Sequence, residues 1–89
     1  SGTKKRNKMI VLYIQPGCGI CHRTKAALDE KEIVYEETNI QEPEGLDRLK
    51  NDMARLGNDL PRSMPTLVTD DLSYSGADCL VAIEEGEIS

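Results

Sequence analysis

Residues 9–30 read Met9-Ile-Val-Leu-Tyr-Ile-Gln-Pro-Gly-Cys18-Gly-Ile-Cys21-His-Arg-Thr-Lys25-Ala-Ala-Leu-Asp-Glu30. The first six residues are wholly apolar and half β-branched, the pattern of a strand buried on both faces of a parallel sheet. Pro16-Gly17 breaks the run. A helix is then expected from about Cys18 through Glu30. Cys21, Thr24 and Leu28 fall at i, i+3 and i+7 and so share one face.

Working outward, Val34 to Asn39 fits a second strand. Pro43 opens a second helix, at a position where first-turn proline is tolerated. Leu46, Leu49, Met53 and Leu56 repeat at helical gaps, a stripe expected to contact the core, and Gly57 ends it. Gly57 to Ser63 reads as a loop. Thr66 to Thr69 and Leu72 to Ser75 read as two short strands around an Asp70-Asp71 turn, a connection so short that the pair must be antiparallel. Gly76 precedes a last helix, Asp78 to about Glu85, which Asp78 is expected to cap and Gly86 to end. The order is β-α-β-α-β-β-α. The first βαβ unit should be parallel with a right-handed crossover. The fold class is therefore α/β, a four-stranded mixed sheet flanked by three helices.

At 89 residues the chain has room for one domain. Residues 9–89 are expected to form it, behind a basic tail at 1–8. Ser1-Gly2-Thr3 lacks an initiator Met and is read as a candidate cloning scar. The tail holds Lys4, Lys5, Arg6 and Lys8 and is expected to be solvated. From Met9 onward seven basic residues face sixteen acidic ones, a balance of −9. Such a surface argues against a nucleic-acid partner. There is no Phe and no Trp, so the core must be largely aliphatic. Met9 to Ile14, the longest apolar run, is too short for a membrane span or a signal-peptide core. The chain is expected to be soluble, cytoplasmic and monomeric.

Three cysteines exclude a disulfide-stapled scaffold. Cys18-Gly-Ile-Cys21 admits several chemistries. In thiol–disulfide exchange, Cys18 at a helix N-terminus would have its thiolate stabilised by the macrodipole, and Cys21, one turn on, would meet it. A zinc site could draw on Cys18, Cys21, His22 and Cys79. It lacks a second close pair, and Cys21 and His22 diverge by about 100° on a helix. An iron–sulfur cluster shared between chains through Cys18 and glutathione is a further alternative. Cys18-Gly-Ile-Cys21-His22 also matches the c-type haem attachment pattern, with Met53 or Met64 as distal ligand, although the surrounding strands fit it poorly. Cys79 reads as a small apolar filler or, alternatively, a third redox thiol.

Ser63-Met64-Pro65-Thr66 places a proline just before a strand. A cis bond there would turn the Met64 backbone toward the cysteines, where it could pair with an extended peptide.

Together these segments resemble the glutaredoxin family of the thioredoxin superfamily. Tyr13-Ile-Gln-Pro-Gly-Cys-Gly-Ile-Cys21 is similar to the family's Tyr-x-x-x-x-Cys-x-x-Cys, Met64-Pro65 to its cis-proline, and Gly76-Ala-Asp-Cys-Leu80 to its Gly-x-Asp-Asp-Leu. Cys18-x-x-Cys-His-x-Thr-Lys25 and Asp71-Leu-Ser-Tyr-Ser-Gly76 most resemble the NrdH-redoxin branch, which carries electrons from thioredoxin reductase to ribonucleotide reductase. The chain departs from that branch in a longer Gly57 to Met64 segment and in Ala77-Asp78-Cys79, which stands where the branch has Phe-Arg-Pro. Gln15 stands where glutathione-using members usually have Lys.

The resemblance implies a thioredoxin-like fold, a cis Met64–Pro65 bond, and a dithiol oxidoreductase with Cys18 as nucleophile and Cys21 as resolving thiol. Tyr13, Gln15, Met64, Pro65, Thr66, Gly76, Ala77 and Asp78 would line the substrate groove. No tightly bound cofactor is implied. Glutathione or a thioredoxin reductase would donate electrons to reduce a protein disulfide.

Overall fold

The structure is a computed structural model and describes residues 10–88. The basic tail at 1–8, and Met9 of the first expected strand, lie outside those residues.

Seven elements follow in the expected order: β1 Val11–Ile14, α1 Gly19–Glu30, β2 Glu36–Asn39, α2 Pro43–Leu56, β3 Thr66–Val68, β4 Ser73–Ser75 and α3 Asp78–Glu84. The four strands form one sheet in the order β2-β1-β3-β4. β1 runs parallel to β2 and antiparallel to β3, and β3 runs antiparallel to β4. The apolar run thus becomes a central strand with both faces covered. Leu12 joins Ile10, Leu28, Ile33, Leu67 and Ile83 on the α1 and α3 side. Val11 and Tyr13 join Leu49, Met53 and Val68 on the α2 side.

β2 starts at Glu36 rather than at Val34, which is 88 % exposed. The reason lies in the turn after α1. Glu32 takes a left-handed conformation, and Ile33 N–H returns to Leu28 C=O, so Ile33 is the residue buried there. Pairing begins only where Glu36 meets Val11. β2 is an edge strand carrying two acids. Alternation sends them to opposite faces, where Glu36 pairs with Arg48 of α2 and Glu37 with Lys25 of α1. Charges along an exposed edge discourage pairing with another chain's strand.

α1 buries Cys21, Thr24 and Leu28, the face read from their spacing. α2 buries Leu49 and Met53, with Leu46 and Leu56 half-buried, and ends at left-handed Gly57. Arg55, in its last turn, donates to the Thr69 and Asp70 carbonyls and so ties α2 to the β3–β4 turn. Gly45, in the first turn of α2, is buried against β2. A Cβ there would lie 2.1 Å from the Asn39 carbonyl oxygen.

α3 differs from expectation at its start. Ala77 is the N-cap and no side chain caps the helix. Asp78 sits inside the first turn, exposed, because residue 77 is already helical in backbone and moves the cap one position back. Gly86, left-handed, follows the last turn.

Candidate active site

The left-handed Gly17 after Pro16 redirects the chain from the end of β1 into α1. Cys18 becomes the N-cap, with an extended backbone. Its Sγ accepts the Cys21 N–H at 3.0 Å, the bond a serine or aspartate oxygen makes at this position. Cys18 is half-exposed, whereas Cys21 is 3 % exposed and packs with Tyr13, Met53 and Met64. The two cysteines form a disulfide with their Cα atoms 5.2 Å apart.

The Met64–Pro65 bond is cis, as expected. The Met64 carbonyl oxygen faces Cys18, with Sγ at 3.6 Å. In the disulfide this is a contact only; on reduction the thiol can donate to that carbonyl. A sulfur at this point therefore meets two opposed influences. The Cys21 N–H and the helix N-terminus favour a thiolate, and the Met64 carbonyl favours the protonated thiol.

The other residues expected in the groove divide into two groups. Gln15, Ala77 and Asp78 are exposed. Pro65, Thr66 and Gly76 are buried beneath, with Gly76 N–H bonded to Pro65 C=O at 2.8 Å. Tyr13 is corrected by the structure. It is wholly buried on the α2 side, and its hydroxyl donates to Asp52, so its side chain cannot reach a ligand at the surface. Burial first, and the Asp52 carboxylate second, hold its phenol well above the ordinary value.

Cys79 is also fully buried. Its Sγ lies 3.5 Å from Pro65 O and 3.3 Å from Tyr74 O. Burial pushes its thiol up to about 11. Its backbone N–H is bonded to Gly76 C=O at 3.2 Å.

Two contributors to this region had no clear signal in the sequence: Asp52 under Tyr13 and the backbone carbonyls facing Cys79. Asp52 belongs to the polar side of the α2 pattern, and only its packing against β1 reveals a partner 39 positions away. For metal chemistry, no group of three His, Cys, Asp or Glu among the described residues could hold an ion. Met53 is 3 % exposed in the core. Among the described residues, no helix is long and apolar enough to cross a membrane.

A half-exposed cysteine capping a helix, a buried partner one turn on and a cis-proline carbonyl beside them, carried on this sheet, define a dithiol protein of the thioredoxin-like fold. The pattern of the glutaredoxin family matches residues 10–72, and the chain belongs to that family. Glutaredoxin 1 of Rickettsia bellii is 29 % identical over 76 residues, covering 85 % of this chain and 76 % of the relative. The solved structure of NrdH-redoxin from Escherichia coli, described as a glutaredoxin-like protein with a thioredoxin-like activity profile, superposes with a TM-score of 0.64. It is 27 % identical, over 86 % of this chain and 92 % of that one. A third likeness is local. The global transcriptional regulator Spx of Listeria innocua is 44 % identical over 43 residues, 47 % of this chain and 33 % of the regulator.

Proposed function

We propose that this glutaredoxin-like redoxin is a dithiol–disulfide oxidoreductase acting on protein disulfides through Cys18 and Cys21. The observation that carries the reading is the placement of the half-exposed Cys18, its Sγ against the Cys21 N–H at 3.0 Å and the Met64 carbonyl at 3.6 Å. In the reduced protein the Cys18 thiolate attacks one sulfur of the substrate disulfide. That S–S bond breaks, a Cys18–substrate bond forms, and the first substrate thiolate leaves and takes a proton from solvent. Cys21, deprotonated, then attacks Cys18 Sγ. The second substrate thiol departs, and the protein is left as the Cys18–Cys21 disulfide. Two electrons and two protons have passed to the substrate.

Met64 and Pro65, with Thr66 and Gly76 beneath and Gln15, Ala77 and Asp78 exposed, form the proposed groove. An extended peptide would dock there by backbone pairing. Ribonucleotide reductase is the proposed class of protein substrate, by the NrdH-redoxin likeness. The working form is a monomer in the cytoplasm, with no nucleic-acid or membrane partner and no tightly bound cofactor.

Two reductants can regenerate the dithiol, glutathione or a flavoprotein thioredoxin reductase, and the reading favours the reductase. Glutathione carries two carboxylates and one amine. Gln15 offers a neutral amide where a cation would serve, and of the Asp78 and Cys79 N–H groups at the start of α3, where a second carboxylate could dock, that of Cys79 is already bonded to Gly76 C=O. The acidic surface repels an anion at long range. Arg62, exposed just before the cis-proline, offsets part of this.

A second reading, a redox-sensitive adaptor without turnover, draws on the local likeness to Spx. One experiment separates the two. Steady-state reduction of a disulfide is measured with each reductant at equal protein concentration. Turnover lost in Cys18→Ser, and a trapped mixed disulfide in Cys21→Ser, are expected. No turnover with either reductant would overturn the oxidoreductase reading, and turnover with glutathione alone would overturn the choice of donor.

A further inference from the structure

Cys79 has no part in the exchange steps above, yet it stands at the junction of the two segments that frame the groove. Its sulfur lies 3.5 Å from the carbonyl oxygen of Pro65 and 3.3 Å from that of Tyr74. Pro65 belongs to the segment whose preceding carbonyl, Met64, faces Cys18. Tyr74 lies in β4, which leads through the buried Gly76 to the exposed Ala77 at the groove's rim. The Pro65 carbonyl also takes the Gly76 N–H at 2.8 Å, so both of its donors come from the chain between 76 and 79. Proline has no N–H of its own, and the hold on this residue falls on its carbonyl.

We propose that Cys79 is a positioning residue, whose S–H, shared between the Pro65 and Tyr74 carbonyls, keeps the floor of the substrate groove in register with its rim. A thiol can play this part only while protonated. Burial at 0 % exposure and two facing carbonyl oxygens disfavour the thiolate, and burial outweighs the Leu67 and Cys79 backbone N–H groups that favour it. The same features keep Cys79 from competing with Cys18 as a nucleophile. A space-filling cysteine would need only its volume. A positioning cysteine needs its proton.

The proposal rests on the oxidoreductase reading for its functional consequence, but the hydrogen bond can be tested apart from it. In the oxidised protein Cys18 and Cys21 are joined, and Cys79 is the remaining thiol of three cysteines. Infrared absorption of the oxidised protein should therefore show one S–H stretching band, shifted to lower frequency than an unbonded thiol. A band at the unbonded position overturns the proposal whatever the protein's activity. The second arm compares wild type, Cys79→Ala and Cys79→Ser with an oxidised peptide long enough to lie along the groove and with 2-hydroxyethyl disulfide. Cys79→Ala should raise KM for the peptide about fivefold at unchanged kcat, the weight of one net hydrogen bond, and leave the small disulfide little affected. Cys79→Ser, which keeps a donor, should restore the peptide KM. An unchanged KM in Cys79→Ala, or the same loss in Ser and Ala, overturns the proposal. If Cys79→Ala does not fold, Cys79→Val takes its place, with the space filled and the proton absent. If wild type reduces neither disulfide, the oxidoreductase reading fails, while the infrared band still decides the hydrogen bond.

Discussion

Gly45→Ala should destabilise the protein, although alanine is the better helix former. In a helix interior the exchange is worth up to about 1 kcal/mol in favour of alanine. At residue 45 a Cβ would lie 2.1 Å from Asn39 O, 2.9 Å from Asn39 C and 3.1 Å from Thr38 Cγ2. The first distance falls about 1.3 Å short of the 3.4 Å where ordinary contact begins. The obstacle is backbone, held in place by the Ile40 N–H to Ile14 C=O and Glu42 N–H to Asn39 C=O bonds, so α2 must move away from β2. Overpacking of this kind costs about 1–3 kcal/mol, occasionally more. A backbone clash this close belongs at the upper end, so net of helix propensity the loss should be about 2 kcal/mol, a fall in Tm of roughly 8–16 °C for a domain of this size.

Gly19→Ala is the matched control, also in the first turn of a helix, where an added Cβ meets nothing within 4 Å. It should be neutral or stabilising. Urea unfolding followed by circular dichroism, on reduced and on oxidised protein separately, measures both. A Gly45→Ala protein as stable as wild type would refute the close approach of α2 to β2, and equal losses at both glycines would refute the contact argument itself.

Three further outcomes are expected. In the reduced protein Cys18 should be alkylated faster than Cys21 at neutral pH, because it is half-exposed and capped by an N–H while Cys21 is 3 % exposed; peptide mapping after brief labelling reads the order, and preferential labelling of Cys21 would reverse the assigned roles. The Cys79 thiol is raised from 9.0 to about 11 by burial, so the folded state holds its proton more tightly than the unfolded chain. Its contribution is complete below about 9 and is lost as the pH rises to about 11; the unfolding free energy of wild type should therefore fall more steeply across that window than that of Cys79→Ser. Tyr13, raised by burial and Asp52, should be the last of the three tyrosines to ionise. Tyr13→Phe should remove that late step from an alkaline absorbance titration and cost about 1 kcal/mol, the net worth of one hydrogen bond; an unchanged late step would place the buried phenol elsewhere.

Much of this protein was legible locally, because local physics decides it. The apolar run before the Pro-Gly break supplies the central strand, Val11–Ile14. The spacing of Cys21, Thr24 and Leu28 identifies the buried face of α1, and that of Leu46, Leu49, Met53 and Leu56 the face of α2, because a helix repeats every 3.6 residues. A Cys-x-x-Cys at a strand-to-helix junction narrows the chemistry to a few candidates, and Pro65 before a strand pointed to its partner segment.

What remained belongs to contacts between segments distant in sequence, which periodicity does not encode. Val34 looks like strand, but the Glu32 turn spends it in solvent and pairing waits for Glu36. Tyr13, at the end of β1, looks available to a ligand until α2 brings Asp52 over it. Gly45 looks like a weak spot in a helix until Asn39 O is seen where its side chain would be. Cys79 looks like filler until the sheet sets the Pro65 and Tyr74 carbonyls beside its sulfur. In each case the residue's surroundings are supplied by another element, and only the assembled sheet and helices determine which atoms those are.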